Sequence, residues 1–260
     1  MVMTDMNRIA FRLEYDGTRY CGFQLQNDQL TIQKMTEDAL YSLYSDNIRV
    51  VASGRTDSGV HAKGQIVHAD VPKILPAENI AKAMNAYLPR DIRVTALTYV
   101  NKEFHARFDA VSRQYRYTIY RGITALEKSY VWQIYQRIEI DIMKVCASFI
   151  LGEHDFTSFC LSQTKTENKI SHVSRAEWIE DGLKLYFIIE ADRFLHSMVR
   201  ALTGTMVDAG KGRYSSEDFK DILDKHHHGS GAFTAPPQGL VLEEVKYNPQ
   251  IIWEWTGDMV

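Results

Sequence analysis

The densest concentration of chemistry in the chain is Ser53 to Gln65, SGRTDSGVHAKGQ, which holds three glycines, an arginine, an aspartate and a histidine and little that a hydrophobic core would take. Along an extended backbone side chains alternate, so Arg55 and Asp57 project to one side while Thr56 points away. Gly54 and Gly59 allow tight turns or the close approach of another chain, and Ser58 can hydrogen-bond locally to hold the loop. A lone carboxylate on such a loop suits covalent chemistry at a sugar carbon, which needs no partner base to activate the attacking group. An Asp-Ser-Gly turn with a surface Arg–Asp pair accounts for the same residues, so composition and spacing leave both readings open.

Other chemistries fit less well. A phosphate-cradling loop needs G-x-x-x-x-G-K-[ST], whereas Gly64 is followed by Gln65. Ser-His-Asp hydrolysis lacks its G-x-S-x-G elbow. His61, His68 and Asp70, or the run His226, His227 and His228, are the residues a metal would use, but no H-E-x-x-H or matched Cys/His spacing accompanies them, and no metal is expected. Cys21, Cys146 and Cys160 are odd in number and far apart, which reads as reduced thiols.

A chain of 260 residues, 45% hydrophobic and 24% charged, has the composition of a globular protein with one large domain or two smaller ones. It has no apolar run long enough to span a bilayer and no secretory leader, so a cytoplasmic protein without membrane contact is expected. The net charge of −3 hides a local asymmetry. Phe104 to Arg121, FHARFDAVSRQYRYTIYR, interleaves four arginines and one acid with six aromatic rings, counting His105. That is a footprint for phosphates and stacked bases, although a strand with a solvated arginine face has the same composition.

The elements that must position these residues follow from periodicity. RIAFRLEYDG alternates Ile9, Phe11, Leu13 and Tyr15 as a half-buried strand ending at Asp16-Gly17. Thr31 caps a helix carrying Ile32, Met35, Ala39, Leu43 and Tyr44 inward. Strands flank the loop at Ile48–Ala52 and IVHADV, a second helix follows Pro76 with Ile80, Met84 and Tyr87 inward, and DIRVTALTYV is another strand. The second half repeats the order. RQYRYTIYR is a strand, EIDIMKVCASFILG a helix with Asp141 as its cap and Gly152 past its end, and RAEWIEDGLKLYFIIEA a hairpin about Asp181-Gly182. FLHSMVRALTGTMVDAG sets Leu195, Met198, Val199, Leu202 and Met206 on one helical stripe, SSEDFKDILDK is a short capped helix, and GLVLEEVKY is a closing strand. Two similar α+β halves, 1–105 and 106–260, with the boundary near Asn101 to Ala110 and one sheet shared between them, are the expectation.

GRTDSGVHAKGQ, FHARFDAVSRQYRY, GEHDFTSF, FLHSMVR and APPQGLVLEEVKY, in this order and spacing, resemble the TruA family of tRNA pseudouridine synthases over about 240 residues; Ser58 stands where alanine is more usual. The resemblance implies a pseudouridine synthase fold: two ferredoxin-like α/β halves, a mixed, mainly antiparallel sheet with helices on one side, and an RNA-binding cleft. It implies an isomerase free of metal, cofactor and nucleotide that converts uridine to pseudouridine in the anticodon stem and loop of tRNA, at uridines 38, 39 and 40 in tRNA numbering, and that works as a homodimer. Asp57 falls on the family's essential aspartate, which is assigned to attack at C1′, attack at C6 or proton removal at C2′. Arg200 falls on the basic residue that pairs with it, holding the carboxylate ionised. Tyr115 falls on the tyrosine that stacks on the target base, and Arg55 on an arginine that helps extrude the nucleotide. Leu195 and Val199 fall in a matched block as candidates for the pocket wall or, on their helical stripe, for plain core, while His61, His105 and Arg107 lie in matched blocks as substrate-binding candidates, His61 equally as loop support.

Two rival readings separate experimentally. A non-catalytic RNA-binding module on the same scaffold would bind tRNA without changing it. A metal-dependent hydrolase built on His61, His68 and Asp70 would be silenced by a chelator.

Overall fold

The computed structural model describes residues 7–160, 167–225 and 233–257, so the run His226 to His228 lies outside the described residues. The chain divides into two compact units, Met1–Val111 with Leu242–Val260 and Ser112–Val241. The first change of unit falls at Val111/Ser112, next to the expected Asn101–Ala110 boundary. The last strand, unlike the expected 106–260 half, is counted with the first unit.

The first unit is α+β. Its strands are β1 (Asn7–Tyr15), β2 (Val50–Ala52), β3 (His61–Val71), β4 (Ile92–Tyr99), with helices α1 (Ile32–Tyr44) and α2 (Ala77–Tyr87) between them. β1 lies antiparallel between β3 and β4, with Ile9 opposite Ala69 and Tyr99. β2 pairs with β3 through Val50 and Ala69. Ile9, Phe11, Leu13 and Tyr15 alternate and are buried as expected, each apolar side chain worth roughly 1.5–3 kcal/mol. Thr31 caps α1 by accepting from the Lys34 amide. The buried stripe of α1 is Ile32, Thr36, Ala39 and Leu40 rather than Met35, Leu43 and Tyr44, which are half-buried beside it. Thr36 can take a core position because its hydroxyl donates to the Ile32 carbonyl one turn back, leaving no unpaired polar group. In α2, Ile80 and Met84 face inward with Ala77 and Ala81, whereas Tyr87 is 56% exposed at the helix end, where the chain turns away toward Pro89.

The second unit is also α+β. β5 (Ala110–Tyr120), β9 (Lys184–Ala191), β8 (Ile170–Asp181) and β7 (Gly152–Asp155) pair antiparallel in that spatial order, with β6 (Trp132–Gln133) parallel to β5. Its helices are α3 (Ile140–Phe149), α4 (Met198–Gly210) and α5 (Ser216–Asp224). The hairpin turns at Asp181-Gly182 as expected, and Ser215 and Asp218 close a reciprocal capping box on α5. α3 begins after Glu139, so Asp141 is a first-turn acid rather than the cap, where its charge still suits the helix dipole. α4 is not striped. Every one of its residues except Arg200 is buried, as in a helix packed on all sides, and Leu195 lies before its start. Trp178 stacks on Phe187 with centroids 4.9 Å apart and its indole N–H meets the Met206 sulfur at 3.4 Å, which ties the hairpin to α4.

The closing segment carries β10 (Leu240–Tyr247), next to β3, and β11 (Trp255–Thr256), antiparallel to β4 with Trp255 opposite Leu97. The Tyr247 hydroxyl donates to the Ala106 carbonyl at 2.6 Å. No described helix is long and apolar enough to cross a membrane.

Candidate active site

The loop between β2 and β3 is held from below by a buried polar cluster. Ser53 Oγ donates to Gln65 Oε1 at 2.6 Å, and Gln65 Nε2 donates to the Gly54 carbonyl at 2.9 Å. The hydroxyls of Thr56 and Tyr15 meet at 2.8 Å. Gln65 is fully buried and Tyr15 nearly so, and burial pushes the Tyr15 phenol up to about 12, so it stays protonated at any working pH. Buried polar groups satisfied by one another in this way specify a single backbone path. With Thr56 tied inward, its neighbours turn out: Arg55 is exposed and Asp57 half-buried, the alternation the spacing predicts.

A second loop braces the first. The Phe23 amide donates to the Thr56 carbonyl at 3.1 Å, and the Tyr20 carbonyl accepts from the Gly59 amide and the Ser58 hydroxyl, both at 3.2 Å. A Cβ on Gly22, at φ +83°, would stand 2.7 Å from the Thr56 carbonyl oxygen, so only glycine lets the two backbones come this close. Past Asp57 the chain reverses in a turn whose Val60 amide donates to the Asp57 carbonyl at 3.1 Å, and Gly59 supplies the positive φ of 76° at its third position. Gly54 has an ordinary φ and no neighbour within 4 Å of its Cβ position, so nothing in this chain requires glycine there.

His61 begins β3 and is only 3% exposed. Its Nδ1 lies 3.0 Å from the Gly17 amide, which makes that nitrogen an acceptor, and 3.1 Å from the Asp16 carboxylate. This geometry is loop support.

His105 and Arg107 sit elsewhere. The turn that carries them lies against His68, whose Nδ1 accepts from the Ala106 amide at 3.1 Å. Seven residues of continuous strand separate His68 from His61, roughly 23 Å at about 3.3 Å per residue. The structure therefore places Arg55, Asp57 and His61 together and sets His105 and Arg107 far along β3. Arg8 fixes the near side of that turn. It binds both oxygens of Asp70 at 2.7 and 2.8 Å and donates to the Phe104 carbonyl at 2.8 Å, and the guanidinium holds the Asp70 carboxyl below its usual range. His61, His68 and Asp70 thus meet a backbone amide, another backbone amide and an arginine, and His61 stands about 23 Å or more along β3 from the other two.

His68 carries a pH consequence. Burial foremost, with Arg8 and His105 nearby, lowers its pKa from 6.5 to about 4. A folded-state value below the unfolded one means that its contribution is fully present above about 6.5 and lost as pH falls toward 4, by roughly 3 kcal/mol in all. Urea unfolding at pH 7.5 and pH 5 should show the wild type losing more stability than His68→Gln, which keeps an acceptor but does not titrate. Parallel losses would mean that the histidine does not drive the change.

In the second unit, Tyr115 stands opposite Ile189 on β5, 7% exposed, with the Phe194 ring at right angles 5.1 Å away. Tyr117, two residues on and on the same face, is fully buried and donates to the Pro236 carbonyl at 2.8 Å. Arg200 Nε donates to the neighbouring Ala235 carbonyl at 2.9 Å, and the Ala235 amide returns a bond to the Arg200 carbonyl at 3.0 Å. Leu195 and Val199, next in sequence to Phe194 and Arg200, are buried, at 6% and 4% exposure. Tyr115 thus meets Phe194, while Arg200, and Tyr117 from the same strand face as Tyr115, bind the Ala235-Pro236 corner. Neither Phe194 nor this corner was singled out from the sequence, although Phe194 adjoins Leu195 and the corner lies in the APPQG block.

Arg200 occupies the third position of α4, in the first turn, where a cation opposes the helix dipole at a cost of about 0.3–1 kcal/mol. The turn has no acid, and Ser197, left-handed at φ 59°, makes no side-chain cap. What the position offers the guanidinium is the Ala235 carbonyl, which it binds at the corner beside the start of α4.

A family model described as tRNA pseudouridine synthase matches residues 13–109 and 146–248. A tRNA pseudouridine synthase A from Exiguobacterium sibiricum is 37% identical over 242 residues, covering 93% of this chain and 97% of the relative. Proteins of the same name from Bacillus subtilis and Bacillus licheniformis are 38% and 41% identical, each covering 93% of this chain and 99% of its own length. The matched segments take in the braced Asp57 loop, the 104–109 turn, α4 and the Ala235-Pro236 corner, and on that full-length likeness the chain belongs to the TruA family of tRNA pseudouridine synthases, which are isomerases.

Proposed function

We propose that this protein isomerises uridines 38, 39 and 40, in tRNA numbering, of the anticodon stem and loop, with Asp57 as the essential carboxylate. The observation that carries the reading is the Asp57 loop. Its backbone is fixed by Ser53, Thr56, Gln65 and Tyr15, with Arg55 exposed and Asp57 half-buried. A carboxylate on a rigidly supported backbone is what a reaction at a fixed atom of a bound nucleotide requires.

The overall change is redox-neutral. The bond from C1′ to N1 of uracil breaks, a bond from C1′ to C5 forms, the C5 proton leaves and N1 takes one up. No oxidant, reductant or co-reactant enters the balance. Asp57 must be ionised to act at C1′, at C6 or on the C2′ proton, and an arginine nearby favours that form. In this reading Arg200 supplies the charge, which accounts for its place at the otherwise unfavourable end of α4. Tyr115 offers the detached uracil a π face, Leu195 and Val199 close the apolar wall, and Arg55 takes the space left by an extruded base. The reading extends to a homodimer working in the cytoplasm, as the family resemblance implies.

The deciding experiment incubates the protein with unmodified tRNA in the absence of added metal or nucleotide and maps pseudouridine by position. Product at the three neighbouring uridines is expected. Binding without any product would establish the non-catalytic module instead.

A further inference from the structure

The turn 104–109 ends in an aromatic column that the reaction at Asp57 does not use. Tyr247 packs on Phe104 with ring centroids 5.4 Å apart, Phe104 on His68 at 6.2 Å, His68 on His105 at 4.9 Å, and His105 on Phe108 at 4.3 Å. The column starts at a buried tyrosine, 8% exposed, and finishes at Phe108, 75% exposed. Its last two rings are stacked at an interplanar angle of 29°.

A single exposed apolar ring is ordinarily unremarkable on a protein surface. This one is pre-set by hydrogen bonds. His105 Nδ1 accepts from the amides of Arg107 and Phe108, both at 3.2 Å, and the Asp109 carboxylate turns back to accept from the His105 amide at 2.8 Å. The exposed Arg107 guanidinium lies 5.7 Å from the Phe108 ring centroid, within cation–π range. An open aromatic face beside a cation, on a backbone that need not reorganise, matches an unpaired base with its phosphate.

We propose that Phe108 is a stacking platform for an unpaired nucleobase of the RNA substrate, at a place remote from the reacting uridine, with Arg107 on the adjoining phosphate. The proposal rests on the functional reading above for its partner. Because the turn lies far along β3 from Asp57, the contact docks the RNA and leaves the chemical step alone.

The test titrates wild type, Phe108→Leu, Phe108→Trp and Arg107→Ala with a fluorescently labelled unmodified tRNA transcript at several salt concentrations. It also measures pseudouridine formation in single turnovers at saturating enzyme. Phe108→Leu is expected to weaken binding about ten-fold at unchanged salt slope, Phe108→Trp to bind within a few-fold of wild type, and Arg107→Ala to lower the salt slope by about one. The saturated single-turnover rate of Phe108→Leu stays at the wild-type value. Wild-type affinity in Phe108→Leu, or a loss that tryptophan does not restore, overturns the proposal. So does a change in sedimenting mass with tRNA affinity intact, which would assign the ring to a protein contact. A wild type that binds tRNA but forms no pseudouridine defeats the functional reading alone, and the binding series still decides the platform.

Discussion

Asp57→Ala should abolish pseudouridine formation, by on the order of 10⁴-fold or more, the scale on which removal of a reacting carboxylate or hydroxyl is felt. The melting temperature should stay within a few degrees of wild type, because the loop is fixed through Ser53, Thr56, Gln65 and Tyr15. Binding of tRNA should stay within a few-fold, since affinity is carried by many phosphate and base contacts and only one carboxylate has been removed. Asp57→Asn keeps the volume and one acceptor oxygen while removing the charge, so it separates loss of shape from loss of chemistry and should be as inactive as the alanine variant. Turnover surviving in either protein would end the assignment.

Arg200→Ala carries the second large effect. Loss of an arginine that stabilises an ionised reacting group should lower kcat by roughly 10²–10³-fold with a smaller change in KM. One structural cost is expected as well. The bond from Arg200 Nε to the Ala235 carbonyl disappears, worth about 1 kcal/mol of folding stability. A readout that this structural loss would not move is the pH–rate profile. On the proposed pairing, removing the guanidinium makes the Asp57 carboxyl easier to protonate, so the acid limb should move to higher pH. Arg200→Lys keeps the charge and should leave that limb near its wild-type place while recovering part of the rate. Equal losses in kcat and affinity, with the acid limb unmoved, would make Arg200 a binding residue.

Where the sequence was legible, the physics was local. Ile9, Phe11 and Leu13 alternate because a strand packs one face, and Thr31 caps α1 because its hydroxyl reaches an amide three residues on. Local rules failed where tertiary packing overrode them. Thr36 entered the core by bonding its own helix, Tyr87 lost its place at a helix end, and α4 showed no stripe because it is covered on all sides. β6 and β11 contain two residues each, too short for any periodicity to register. At the candidate site, the alternation of Arg55, Thr56 and Asp57 was readable from spacing alone. The brace from Tyr20, Gly22 and Phe23 was not, because it depends on contacts more than thirty residues apart. His61 illustrates the same limit: its type suggested substrate contact as readily as support, and only its 3% exposure and its bond from the Gly17 amide separate the two.

The first unit is discontinuous in the chain, since Leu242–Val260 belongs with Met1–Val111 and β10 lies beside β3. β3 therefore has β1 and, at Val67–Ala69, β2 to pair with early in synthesis, and it meets β10 only when a strand about 170 residues later has been made. Docking of β10 beside the strand that leads out of the Asp57 loop is a long-range pairing, and the loop-closure entropy it must overcome makes it a late step in building the scaffold around that loop.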